Sequence, residues 1–423
     1  MDLRLLQPLR HRDYRLLTVG SLVSLLGDGM FVAAIALQVY ALSDLPTALS
    51  VVTFIVIGSQ LLVLLVGGWA ADRYDRRRIL LTADLVRGAT IGALGVLSLA
   101  GALQLWHIWL LVALQGLANG FAKPTAAAFV PDLVPEEDLP AANALLAAAN
   151  PVAATLAGPA IGGLLVALAG PGGAFVLDAG TFAFSAAMLA LMRTGGVAEA
   201  GPSRPGLAAQ VVEGLRFVRA HPWCWAWIAG ESLGMVGYTG PFQILVPFLY
   251  RFDPVLGLTQ DQAGVAFGLT LSAGGLGAIA VSLAVGQFRL PRRLTTAMFL
   301  AEGAGVGLLA VFGVMTAVWQ AVLAVLFAQG LYAFTEIGQA TLFQRGVPAR
   351  LLGRVSSVSW LAAMAAALVS VTLAGPLAQV VGARQVLIGG AVVGTAGVLS
   401  MLLVPGAGTV PEPARGADTT AAV

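Results

Sequence analysis

Ionisable side chains stand inside long apolar runs of this 423-residue chain: Asp28 between Gly27 and Gly29, then Lys123, Asp178, Glu231 and Glu336. An isolated charge at the centre of a membrane-crossing helix costs ~2.5–3.5 kcal/mol on insertion scales, so each such group needs a partner, water or neutralisation by a proton. A carboxylate held in that way can take up and release a proton or bind a cation. Asp28 lies almost at the midpoint of its run and is the first candidate for a proton or cation site. The alternative is a carboxylate bonded structurally to a neighbouring helix. Glu231 and Asp178 each lie about two turns in from a run's end. There, snorkelling to the interface or a favourable charge at a helix start competes with function. Arg87 and Glu302 occupy corresponding places in two other runs, where structural pairing is expected, with Asp84 as a partner for Arg87.

Other chemistries are excluded by what is missing. The one cysteine, Cys224, allows no internal disulfide and no cysteine metal cluster. His11, His107 and His221 are too far apart in sequence for zinc spacing. No G-x-x-x-x-G-K-[ST] loop is present, so ATP is not the obvious fuel. Gly303, Gly305 and Gly307 lie in an apolar run with no preceding strand and read as helix-packing residues rather than a nucleotide loop. No metal site, no cofactor and no nucleic-acid partner is expected, and no grouping of His with Asp or Cys marks an enzyme.

The elements that hold these residues follow from composition. Hydrophobic residues make up 58% and charged residues 10%, against about 25% charged in a soluble chain, and mean hydropathy is +0.88. This is an all-α integral membrane protein, because the apolar runs are continuous rather than alternating as in a β-barrel. Twelve spans are predicted near 15–42, 47–69, 79–101, 106–129, 141–169, 171–193, 223–250, 261–286, 295–317, 319–344, 354–377 and 382–405. The domain reading is a six-span bundle over 1–193 and a cytoplasmic linker over 194–222 with an amphipathic helix. A second six-span bundle over 223–405 and a flexible cytoplasmic tail over 406–423 complete it.

Twenty of the 23 basic residues fall on one side of these spans, which predicts both termini in the cytoplasm. Trp69, Trp106, Trp109, Trp223 and Trp319 fall at span ends, where an amphipathic ring prefers the headgroup layer. The halves also repeat. Gln115-Gly116-Leu117 recurs as Gln329-Gly330-Leu331, Val134-Pro135 as Val347-Pro348, and Gly158-Pro159 as Gly375-Pro376, each 213 to 217 residues on. Six spans repeated in parallel is the plan of a rocking transporter with its substrate near the midplane.

The loop after span two reads Gly68-Trp69-Ala70-Ala71-Asp72-Arg73-Tyr74-Asp75-Arg76-Arg77-Arg78. It resembles the G-x-x-x-D-R-x-G-R-R-R signature of the major facilitator superfamily. The resemblance implies a latch, made by Gly68, Asp72, Arg73, Arg76 and Arg77, that closes the cytoplasmic side in one state; a loop that only sets topology is the alternative. Asp75 stands where the pattern has Gly. Asp132, Glu136, Glu137 and Asp138 form an acidic loop on the same side, which points to attraction between the two loops in the outward-open state, with a solvated acidic surface as the equal alternative.

Span five carries Gly158-Pro159-Ala160-Ile161-Gly162-Gly163, which resembles the G-P-x-x-G-G core of the superfamily's drug antiporters and implies a seal against leak. Many of these antiporters carry an arginine in span four where this chain has Val112, so proton coupling must use another group. The resemblance brings span one to a central cavity, with Asp28, Glu231, Asp178, Lys123 and Glu336 as candidates for proton coupling or substrate contact. It also brings the cytoplasmic halves of spans four and ten together when the protein opens outward, which makes Lys123 and Glu336 a candidate gate pair.

The opening His11-Arg12-Asp13-Tyr14-Arg15-Leu16 and the run Gly20 to Asp28 are similar to the bacterial macrolide-efflux and enterobactin-exporter branch. The expectation is proton-driven export of a moderately hydrophobic small molecule, a drug or siderophore, by a monomer in the bacterial inner membrane, with the proton gradient as energy source. An uptake or lipid porter of the same fold is the alternative, and a polytopic enzyme fits less well. Phe31, Tyr40, Phe54, Phe242, Phe334 and Trp360 are candidates for aromatic walls, with packing as the equal alternative.

Overall fold

In the computed structural model the described residues are 4–194, 207–287, 291 and 293–408, and among them there is no strand. A 3-10 turn leads into α1 (Arg12–Leu42), α2 (Pro46–Arg73), α3 (Arg76–Leu99) and α4 (Leu105–Phe129). Next, α5 (Leu139–Pro151) runs through a π turn at Val152–Ala157 into α6 (Gly158–Leu191). The helix α7 (Leu207–Ala220) precedes α8 (Pro222–Gly240), which passes through a second π turn at Pro241–Leu245 into α9 (Val246–Phe252). Then come α10 (Gln260–Gln287), α11 (Leu294–Gly307), α12 (Ala310–Val314), α13 (Val318–Gly346), α14 (Ala349–Val381) and α15 (Ala383–Ser400).

Ten stretches are long and apolar enough to cross a membrane. One of them, Glu136–Leu191, holds two crossings, because Gly170 breaks it with a φ of 69°. Nothing lies near the space a Cβ would take at Gly170, so backbone conformation alone demands glycine there, and Pro171 then starts the next crossing. The α8–α9 unit adds the twelfth crossing.

Helices α1 to α6 pack among themselves, chiefly α1 and α3 on α6 and α2 on α4. A second group forms from α8 on α14 and α15, α10 on α13, and α11 on α13 and α15. The groups meet through α6 with α10 and α2 with α14. Their bonds lie on the face away from the chain ends. Tyr40 Oη donates to Ile244 O at 2.6 Å, Gly375 N donates to Ser50 Oγ at 3.1 Å, and Gln379 Nε2 donates to Thr47 Oγ1 at 3.1 Å. These bonds hold the far face closed.

Both π turns sit beside prolines with a consequence for packing. Pro159 has no N–H for Thr155 O four residues back, and Gly275 of α10 approaches that carbonyl so closely that an added Cβ would lie 2.6 Å from it. Pro241 likewise has no N–H for Gly237 O, against which Gly390 of α15 packs. A proline in one helix and a glycine in its neighbour together bring two backbones into contact.

The described linker residues form α7, whose Glu213 pairs with Arg354 and whose Gly214 lies against the Arg354 carbonyl, fixing α7 to the start of α14. Segment 195–206 and the tail from 409 onward lie outside the described residues. Three tryptophans face outward as expected, Trp106, Trp109 and Trp319, and Trp69 lies outside the described side chains. Trp223 does not face outward: it is 2% exposed, covered by Phe343, Gly346 and Val218, because α7 folds over the start of α8. The glycines 303, 305 and 307 are helix contacts, against Leu399, Tyr332 and Thr395.

Candidate functional site

A cavity of about 620 Å³ lies between the two groups of helices. Phe31, Val52, Gln60 and Lys123 line it on one side, and Glu231, Glu302, Glu336, Gln329 and Gln339 on the other. Of the expected aromatic walls, Phe31, Phe242 and Trp360 line it. Tyr40 belongs instead to the far-face closure, and Phe54 is 43% exposed on the outside of the bundle. Phe334 packs with the cluster around Trp227. Trp227, Tyr238, Phe267 and Tyr332 line the cavity as well. Nothing in their spacing set them apart from core residues.

Asp28 is not among the cavity-lining residues, which begin one turn later at Phe31. It pairs with Arg87 of α3, Nη2 to Oδ1, at 2.5 Å. Arg87 also lies 3.7 Å from Asp84, the expected partner, and its guanidinium sits 4.0 Å from the centre of the Phe182 ring. Asp178 of α6 is fully buried within electrostatic reach of Asp28 and Arg87. Thr181 Oγ1 lies 3.2 Å from Asp178 Oδ1, and Oδ2 has no protein partner. Gly27 makes this approach possible, since a Cβ there would overlap Asp178 Oδ1. Lys123, from the cavity wall, is within reach of Asp28 and Arg87. Arg87 therefore serves Asp28, Asp84 and Asp178, and Lys123 reaches Asp28 alone of the three.

The second group holds Glu231, Glu302 and Glu336, within electrostatic reach of one another. Gln339 Nε2 donates to Glu231 Oε2 at 3.1 Å, and Thr335 Oγ1 donates to Glu302 Oε2 at 2.9 Å. Glu302 does not meet Arg87; each stays in its own group. Lys123 and Glu336 both line the cavity but form no ion pair in this state.

At the chain-end face, Arg76 Nη1 pairs with Asp132 Oδ2 at 2.6 Å, which joins the basic and acidic loops. Arg77 donates to Leu189 O at 2.7 Å and Ala190 O at 2.5 Å, satisfying carbonyls at the end of α6. Asp75, in the place of the pattern's Gly, accepts from Arg78 N at 3.3 Å and so caps α3. Gly68 and Asp72 belong to α2, and their surroundings lie outside what the structure describes. In span five, an added Cβ at Gly158 would lie 2.8 Å from Gly29 Cα and one at Gly162 would lie 2.6 Å from Met30 Cα, both on α1. Gly163 faces α10 instead, where a Cβ would lie 2.8 Å from both Gly264 O and Gly268 Cα.

The family model of the Major Facilitator Superfamily matches residues 17–371. The chain belongs to the major facilitator superfamily. It is a transporter, not an enzyme. Among solved structures of the superfamily's fold, it is similar to the nucleoside transporter NupG, with a TM-score of 0.69 at 11% identity, over 92% of this chain and 98% of that one. It is also similar to a bacterial homologue of the iron transporter ferroportin in an inward-facing state. There the TM-score is 0.66 at 18% identity, over 92% of this chain and 98% of the other. At these identities the likeness shows the fold. Among curated relatives, the enterobactin exporter EntS of Salmonella choleraesuis is 27% identical over 356 residues, 82% of this chain and 81% of the exporter. The multidrug efflux pump Tap of Mycobacterium tuberculosis is 28% identical over 287 residues, 66% of this chain and 67% of the pump.

Proposed function

We propose that the chain is a proton-coupled exporter of a moderately hydrophobic small molecule, working by alternating access across a bacterial inner membrane. The observation that carries this reading is a drug-sized cavity, closed on the far face, with a half-buried Asp28 paired to the buried Arg87 one turn along α1 from its lining. The chain-end face is then the cytoplasmic one and the state is inward-open. The division into bundles 1–193 and 223–405, with a linker between and a tail after, belongs to the same reading. The similarity to an enterobactin exporter and a multidrug efflux pump supports export.

Arg87 takes the role that the arginine missing at Val112 would have had. While Asp28 is ionised, Arg87 holds α1 to α3 through it. A proton arriving on Asp28 cancels that attraction and leaves Arg87 to Asp84 and Asp178, so protonation changes the packing of α1 against α3 and α6. The α1 contacts of Gly158 and Gly162, together with the α10 contact of Gly163, carry the change to the far-face seal. In the outward-open state Lys123 and Glu336 close the cytoplasmic side, beside the loop held by Arg76 and Arg77.

The test is accumulation of dyes, macrolides and siderophores in efflux-deficient cells, with and without an uncoupler, beside an Asp28→Asn variant. Lower accumulation that both the uncoupler and Asp28→Asn abolish is expected. Higher accumulation of a compound would replace export with uptake.

A further inference from the structure

Of the three aspartates around Arg87, Asp28 and Asp84 lie in ion-pair range of its guanidinium, and Asp178 forms no ion pair among the described residues. Asp178 is fully buried, and its nearest polar neighbour is the Thr181 hydroxyl. Thr181 Oγ1 lies 2.7 Å from Asp178 O and 3.2 Å from Asp178 Oδ1. A hydroxyl has one hydrogen to give. The backbone carbonyl can only accept, and its shorter contact takes that hydrogen, as in other helical threonines bonded one turn back. Toward Oδ1 the hydroxyl oxygen therefore presents a lone pair. That contact is a hydrogen bond only if the carboxyl supplies the hydrogen, which a protonated Asp178 does and a carboxylate does not.

The charges of the cluster give the same answer independently. Arg87 and Lys123 bring two positive charges. Asp28, paired with Arg87 and within reach of Lys123, and Asp84, beside Arg87, balance them. A third ionised carboxyl would leave an uncompensated negative charge in a site closed to water, which is costly. The site is closed by α1, where a Cβ on Gly27 would overlap both Asp178 Oδ1 and Thr181 Oγ1. The charges that act on Asp178 are Asp28 from α1 and Arg87 from α3. Helix α10, which also packs on α6, carries one charged residue, Asp261, exposed at its far-face end, and the π turn Val152–Ala157 carries none.

We infer that Asp178 carries a proton in this state and is a second proton-exchanging carboxyl of the transporter, alternating with Asp28 as the partner of Arg87. This rests on the proton-coupled reading above. When Asp28 takes up a proton, Arg87 loses that partner, and the two positive charges then match Asp84 and Asp178 as carboxylates. The Asp178 O–H bond breaks, its proton passes to water, and the guanidinium becomes the counter-charge of the carboxylate left behind. The cluster keeps its net charge throughout, while Arg87 moves its hold from α1 to α6.

Infrared spectroscopy of the full chain in nanodiscs at neutral pH reads the C=O stretch of a protonated carboxyl directly. The parent should show a band of this kind that Asp178→Asn removes and Asp84→Asn leaves. Asp28→Asn should remove the same band, because Arg87 is then free for Asp178 and the charge count favours its carboxylate. Asparagine keeps the shape and neutrality of a protonated aspartate and still offers a donor to Thr181. Asp178→Asn should therefore melt at the parent's temperature, and Asp178→Ala, which empties the site, should melt lower. A band unchanged in Asp178→Asn overturns the inference. So do a band that persists in Asp28→Asn and a loss of stability in Asp178→Asn as large as in Asp178→Ala. If the bands behave as expected but a pH gradient drives no transport, the protonation of Asp178 stands and the proton-coupled reading falls. If a pH gradient drives transport and no band depends on Asp178, the coupling stands and the second carboxyl falls.

Discussion

Replacing Gly163 by valine places a side chain against backbone rather than against a yielding side chain. The added Cβ would lie 2.8 Å from Gly264 O and 2.8 Å from Gly268 Cα, closer than real Cβ contacts, so α6 and α10 must part. Overpacking of this kind costs about 1–3 kcal/mol. The cost falls on the state in which these helices touch, and alternating access requires them to part on the far face in the other state. The equilibrium should therefore move roughly 5- to 150-fold toward the outward-open state. The single cysteine, Cys224, is buried, so a Cys224→Ser background accepts a spin-label pair at Leu45 and Val381, both more than half exposed at the far ends of α2 and α14. Double electron–electron resonance should show the short far-face distance of the parent replaced by a longer one in Gly163→Val. Gly180→Val is the control, because nothing lies near the space its Cβ would take. An unchanged distance in Gly163→Val, or the same lengthening in Gly180→Val, would refute the reasoning.

Further outcomes follow from the same geometry. If Lys123 and Glu336 close the cytoplasmic gate, each of Lys123→Glu and Glu336→Lys abolishes transport and the double exchange restores it; transport assays showing no rescue would sink the gate. On the far face, burial pushes the Asp253 carboxyl up, but its hydrogen bond from Arg384 at 2.7 Å, the Val255 N–H and the guanidinium charge outweigh that and hold it below its ordinary value. This contribution to stability is present above the unfolded carboxyl's value and is lost as pH falls through the lower folded one. Thermal melting in detergent should thus decline below about pH 4, with a shallower decline in Asp253→Asn; equal declines would contradict the assignment.

Helix positions were legible from the sequence because a bilayer demands continuous apolar runs of fixed length, and the boundary between the runs 141–169 and 171–193 falls at the Gly170 break. Asp28 was legible as a costly intramembrane charge. Its partner was not, because the Asp28–Arg87 contact depends on how α1 and α3 lie against α6, and Gly27, whose missing Cβ admits Asp178, reads in sequence as one more helix glycine. Glu302 was set aside through its symmetry with Arg87, although equivalent places in two repeats lie in different groups and do not meet. Trp223 sits at a span's start, as an interfacial anchor would, and only the fold of α7 over it reveals that it is covered. The arginines after Asp75 were read as a gate latch, and Arg76 and Arg77 bond the neighbouring loop and the end of α6 within their own group.

The central claim, that a proton taken up at Asp28 drives export, is tested most directly in proteoliposomes holding the purified chain under an imposed pH gradient. A fluorescent dye exported by intact cells should accumulate against its own gradient, with protons moving the opposite way, and both fluxes should vanish in Asp28→Asn while binding of the dye remains. Dye accumulation of equal size without a pH gradient, or in Asp28→Asn, would contradict the account.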